Sequence, residues 1–106
     1  MEVKKRDFKK LQYGRRSIRS ASALLHYYID NVDALNRAHV GKDKIAEDLN
    51  VSRRTVTGWI RLLVDEGIIR FKYSGAVRLN PEIWFEGSEE DFEKASAEFL
   101  SFRGDI

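Results

Sequence analysis

The chain contains no cysteine. Disulfide scaffolds and thiolate metal sites are therefore excluded, a usage expected of a reducing compartment. Proline occurs once, at Pro81, and neither an internal repeat nor a low-complexity segment is visible. No apolar run approaches the roughly 20 residues that a membrane span requires. The basic start, Lys4-Lys5-Arg6, is followed by more lysines rather than by the apolar core of a signal peptide. The expected location is cytoplasmic, with no membrane partner. The two histidines, His26 and His39, have no partners at metal-ligand spacing. No glycine-rich phosphate loop follows a strand. Neither an enzyme nor a metal or cofactor site is expected.

What is present is enough for one modest core: 106 residues, of which 42% are hydrophobic and 34% charged. The net charge of +2 conceals a polarity along the chain. Residues 1–19 carry eight basic residues against Glu2 and Asp7, a local charge of +6. Residues 82–106 carry eight acids against Lys94 and Arg103, a local charge of −6. A basic arm attracts phosphate because neutralising phosphates releases counterions. It can equally be a solvated tail, and charge alone leaves both readings open.

Helical periodicity is strongest from Ser17 to about Leu35. Ile18, Ala21, Leu24, Leu25, Tyr28, Ile29, Val32 and Leu35 share one face, and Arg19, Ser22, His26, Asp30 and Asp33 lie opposite. A polar loop, Asn36 to Val40, leads to a short helix from Lys42 to Leu49. Asn50 is suited to the left-handed conformation of a tight turn. Ser52 stands where an N-cap is needed, and a third helix runs from Arg53 to about Glu66, ended by Gly67. The β-prone runs Ile68–Tyr73 and Ala76–Asn80 flank Ser74-Gly75 and read as a hairpin that Pro81 terminates. Ser88 opens a Ser-x-x-Asp capping signature for a last helix, in which Phe92, Ala95, Phe99 and Phe102 form an apolar stripe.

The stretch Ile45 to Ile60 looks like a helix-turn-helix. Small Ala46 sits where two helices approach, Asn50 turns the chain, and Val51 packs in the corner. Projected at 100° per residue, Val56, Trp59, Ile60, Leu63 and Val64 share the core face of the third helix. Arg54, Gly58 and Arg61 fall nearly opposite, Thr57 lies at the margin, and Ser52 and Arg53 stand at the exposed first turn. Such a face suits a major groove: arginine pairs with guanine edges, threonine meets a thymine methyl or a phosphate, and glycine allows close approach. In the hairpin, Arg70, Lys72 and Arg78 alternate with apolar residues and are expected to face outward as a wing. Near its tip, Lys72, Tyr73 and Ser74 are expected on phosphate or in the minor groove. Arg15 and Arg16 of the arm are counted with the phosphate contacts.

Beyond this generic pattern, the run from Val77 through Asn80-Pro81, Trp84-Phe85 and Gly87-Ser88 resembles replication-initiator proteins of Gram-positive plasmids and related phage and mobile-element proteins. With the helix-turn-helix, the resemblance covers about residues 42–100, and it departs at Glu86, where a basic residue is expected. It implies DNA binding in a plasmid or phage setting more directly than it implies replication.

The expected fold is α+β: a winged helix-turn-helix of three helices and a hairpin, with a basic N-terminal arm (1–16), a DNA-binding domain (17–85) and an acidic C-terminal helix (86–106). The expected function is double-stranded DNA binding, as a sequence-specific regulator or replication protein of a mobile element. A protein–protein module and a nonspecific nucleic-acid binder are the alternatives. A homodimer is expected, with Phe92, Phe99 and Phe102 contributing to its interface or else packing within their own chain. Deleting residues 1–10 should weaken binding to all DNA sequences alike. The slope of log K against log salt should shrink in magnitude by at most about 0.9 for each phosphate that the arm no longer neutralises. An unchanged slope would reduce the arm to a solvated tail.

Overall fold

A computed structural model describes residues 2–3, 18–70 and 76–101. After the arm, the expected three helices, strand pair and last helix follow in order, with a further short strand between the first and second helices. A 3-10 turn (Ile18–Ala21) enters α1 (Ser22–Asn31), which is followed by β2 (Arg37–Ala38), α2 (Lys42–Leu49) and α3 (Arg53–Asp65). The strands β3 (Ile69–Arg70) and β4 (Val77–Leu79) come next, then β5 (Gly87–Ser88) and α4 (Glu89–Ser101). At the other end of the chain, Glu2–Val3 forms a short strand, β1, paired antiparallel with β5.

The core lies between the helices and one face of the sheet. Leu24, Leu25 and Tyr28 of α1 meet Ile45 of α2, Val56, Ile60 and Leu63 of α3, and Ile68, Ile69, Val77 and Leu79 around the strands, all buried. The turn between α2 and α3 forms for the reason expected. Asn50 adopts φ 57° and ψ 49°, and its N–H donates to the carbonyls of Ala46 and Glu47. The end of α3 is a Schellman arrangement. Gly67, at φ 74°, donates to Val64 O at 3.0 Å, and Ile68 donates to Leu63 O at 2.9 Å.

The first helix is shorter than its periodicity suggests. It ends at Asn31, whose Nδ2 donates back to Tyr27 O at 2.8 Å. The carboxylate of Asp33 then accepts from the N–H groups of Leu35 (2.9 Å) and Arg37 (3.0 Å), giving the backbone an alternative to the helix. Asn36 follows in the left-handed region at φ 61° and is buried. Its side-chain amide donates to Leu79 O (3.1 Å) and Trp84 O (2.9 Å), and its carbonyl accepts from Leu79 N at 2.9 Å. The expected loop from Asn36 to Val40 therefore contains a strand. β2 pairs antiparallel with β4, so the sheet has three strands in the order β2-β4-β3.

This third strand brings three arginines into one row. Arg37 is paired with Arg78, and Arg78 with Arg70. Paired residues share a face of an antiparallel sheet. Ala38, Val77, Leu79 and Ile69 occupy the inner face, and the arginines the outer one. The expectation that Arg70 and Arg78 face outward holds for the sheet but not for the molecule, because α4 lies over that face. The carboxylate of Glu98 accepts from Arg37 Nε at 3.1 Å and Nη2 at 3.0 Å, and also from Arg78 Nε. Arg70 donates to the carbonyl of Phe99 at 3.0 Å and stacks 4.5 Å from the centroid of its ring.

Packing within the chain also accounts for the phenylalanine stripe. Ser88 caps α4, its Oγ accepting from Asp91 N at 3.1 Å. Ala95 and Phe99 are buried, and Phe92 meets Phe85 edge to face at 5.3 Å. Of the two packings expected for Phe92 and Phe99, contacts within their own chain are present, with Phe99 buried and Phe92 half-buried. Phe102 lies outside the described residues. Among the described residues of α4, the large apolar side chain left exposed is Leu100, at 67%.

The row of arginines makes Glu98 a determinant of stability. Hydrogen bonds from Arg37 and Arg78 outweigh the cost of burial and hold its carboxyl below the usual value. A carboxylate depressed in the folded state contributes stability above its unfolded pKa of about 4.3, and that contribution disappears as pH falls through the lower folded value. Glu98→Gln should therefore destabilise the protein at pH 7 by about 1.5–3 kcal/mol, the range for hydrogen bonds to charged groups. The difference from wild type should narrow below about pH 4. Urea unfolding at both pH values checks this, and a difference independent of pH would refute the charge argument.

Candidate nucleic-acid interface

The groups on α3 are presented by the way its two ends are fixed. Ser52 caps the helix, its Oγ accepting from Thr55 N at 3.0 Å and donating to Thr55 Oγ1 at 2.9 Å. The buried face of Val56, Ile60 and Leu63 then sets the helix rotation, with Trp59 and Val64 partly buried beside them. Arg54, Gly58 and Arg61 emerge exposed on the opposite side, as their spacing predicts. Thr57 is half-buried, and its hydroxyl donates to Arg53 O at 3.1 Å. The hydroxyl proton of Thr57 is thus used within the helix.

Arg53 is held from the neighbouring helix. Its Nε lies 3.2 Å from Oδ1 of Asp43, in the first turn of α2, and both side chains are largely exposed. A second tie joins α2 to α1. The hydroxyl of Tyr27 donates to Asp48 Oδ2 at 2.5 Å, and Lys44 Nζ stands 3.2 Å from the same carboxylate. Burial first, and then the hydrogen bond to Asp48, push the Tyr27 hydroxyl up to about 12. The same bond, with Lys44, holds the Asp48 carboxyl below its usual value. The tyrosine thus stays a donor, and α2 keeps its place against α1.

Gly58 is informative for what surrounds it. A Cβ built on it meets nothing within 4 Å. Glycine costs about 1 kcal/mol in a helix interior relative to alanine, and no close packing among the described residues requires it there.

The remaining expected contacts divide into two groups. Arg15, Arg16, Lys72, Tyr73 and Ser74 lie outside the described residues. Arg70 and Arg78, at the base of the strand pair, are taken up by α4. The part of this arrangement that residue-by-residue reading missed is Arg37, in a segment without strand periodicity, and its partner Glu98, 61 positions away. His39 is exposed, with Nε2 3.8 Å from Asp33. No group of His, Asp and Glu among the described residues could hold a metal ion, and no described helix is long and apolar enough to cross a membrane.

The segment leaving β4 has a structural logic of its own. Asn80 donates through Nδ2 to Gly67 O at 3.0 Å and through its backbone N–H to Ile68 O at 2.8 Å, while its Oδ1 accepts from Glu82 N at 2.9 Å. Pro81 and Phe85 are fully buried. At Gly87 a Cβ would come within 3.2 Å of the Phe85 ring. The Asn-Pro, aromatic and glycine positions thus lock the end of the sheet to the end of α3 and seat the entry to α4.

Comparisons with curated proteins and with solved structures give no match. The model of one family, described as Firmicute plasmid replication protein (RepL), matches residues 19–104. The matched span runs from the 3-10 turn past the end of α4, and it contains both the α2–turn–α3 unit and the Asn80–Ser88 passage that carried the resemblance to plasmid replication proteins. The chain belongs to the Firmicute plasmid replication protein (RepL) family.

Proposed function

We propose that this plasmid replication protein is a winged helix-turn-helix that binds double-stranded DNA sequence-specifically, acting by binding rather than by catalysis. In this reading α3 enters the major groove, and β3, β4 and their connection form the wing. Arg54 and Arg61 read base edges, while Ser52, Arg53 and Thr57 lie along the backbone side of the same helix. The basic arm, with Arg15 and Arg16, and the wing residues Lys72, Tyr73 and Ser74 contact phosphate or the minor groove.

The observation that carries the reading is Gly58. A mid-helix glycine with open space around it is a cost to the free protein. Flanked by exposed Arg54 and Arg61, it leaves a flat strip on which DNA can approach the helix backbone closely. A protein–protein module would not call for two arginines beside that strip. A nonspecific binder would not call for the close approach.

Gly58→Ala should raise stability by about 1 kcal/mol through helix propensity, yet weaken binding to the specific duplex. Arg54→Ala and Arg61→Ala should each lose about 1–3 kcal/mol of discrimination between specific and altered sites, with melting temperatures nearly unchanged. The target is first located by footprinting on the DNA that flanks the gene. Fluorescence anisotropy at one fixed salt concentration then compares wild type and variants. Wild-type affinity in all three variants would refute the assignment of α3.

A further inference from the structure

We propose that Asp43 moderates the affinity of the DNA interface, restraining Arg53 and holding down its sequence-independent grip on the phosphate backbone. This rests on the reading of α3 as the groove-entering helix. The observation is the ion pair between Asp43 Oδ1 and Arg53 Nε at 3.2 Å, with side-chain exposures of 84% and 67%. A pair so exposed contributes little to folding. Arg53 begins α3, so the pair places a carboxylate at the end of α3 that would meet a phosphate backbone.

Two consequences follow from charge alone. In the free protein, Arg53 is partnered, so a phosphate must displace Asp43 to engage it. In any complex, the Asp43 carboxylate lies beside the anionic backbone and repels it. Both effects act equally on every sequence. They therefore reduce sequence-independent affinity and leave base contacts by Arg54 and Arg61 to supply the difference. Asp43 has a second role that the test must separate. It is the acid in the first turn of α2, whose N-cap, Gly41, offers no side-chain bond, so its charge also favours that helix end.

The test measures binding of the full chain to its footprinted site and to an unrelated duplex of equal length, across a salt series. Asp43→Asn should strengthen binding to both duplexes about threefold, the effect of one unit charge some 6 Å from a phosphate in water. The magnitude of its log K against log salt slope should grow by up to about 0.9, as for one more phosphate neutralised. The affinity ratio between the two duplexes should stay unchanged, and Asp43→Glu should keep wild-type values. In an Arg53→Ala background, Asp43→Asn should keep the part of this effect that comes from repulsion and lose the part that comes from freeing Arg53. Unchanged affinity and slope in Asp43→Asn would overturn the proposal, as would weaker binding to both duplexes together with a lowered melting temperature, which is the outcome of a purely structural role. If Arg54→Ala and Arg61→Ala leave specific binding intact, the assignment of α3 fails. If those two variants behave as expected and only the Asp43 series is silent, the fault lies with Asp43 alone.

Discussion

The row Arg37–Arg78–Arg70 across the outer face of the sheet is the constraint on which much else depends. Like charges directly opposite one another on neighbouring strands repel. A row of three would push β2 and β3 away from the central strand β4 unless something met them from above. Glu98 meets two of the guanidinium groups, and the carbonyl and ring of Phe99 meet the third. The position of α4 is set by this demand as much as by apolar burial. The apolar residues it buries, Ala95 and Phe99, are few, and they lie apart from the main core with Phe85.

Covering this face has an electrostatic consequence for the rest of the molecule. The basic groups at the base of the hairpin are consumed internally, so the described cations that remain outermost around the turn unit belong chiefly to α3. The acidity of the C-terminal segment, which as a formal charge of −6 looks like a solvated tail, is partly structural: Glu98 completes the sheet, while Glu89, Glu90 and Asp91 occupy the first turn of α4, where negative charge complements the helix dipole. The beginning of the basic arm also runs beside this helix entry within one chain, as β1 paired with β5.

The passage from Asn80 to Ser88 explains why a short sequence pattern can mark a family. Each of its distinctive residues does a job that few others can. Asn80 satisfies two backbone carbonyls between the end of α3 and the start of β3 while capping its own turn. Pro81 stops the ladder and is buried. Gly87 leaves room for the Phe85 ring on which Phe92 packs. The pattern is thus a record of how α4 is attached, and its relation to the α3 surface is indirect.

Local features carried the turn unit, α3, the strand pair and the cap of α4, because each rests on interactions between residues close in sequence. Asn50, Ser52, Gly67 and Ser88 act within a few positions of themselves, and the exposure of Arg54, Gly58 and Arg61 follows from helical geometry once Val56, Ile60 and Leu63 are buried. The end of α1 was hidden because Val32 and Leu35 continue the apolar period, while Asp33 offers the backbone a competing set of hydrogen bonds. β2 was hidden because a two-residue strand has no periodicity, and it exists through Asn36, whose amide is satisfied only by carbonyls at Leu79 and Trp84. The phenylalanines of α4 announced a buried stripe but not its partner. By itself the sequence determined the helices, the turn and the outward face of α3. Only the tertiary structure decided that the hairpin's arginines would be covered, because that outcome depends on a carboxylate brought from 61 residues away in the chain, an encounter that no local pattern encodes.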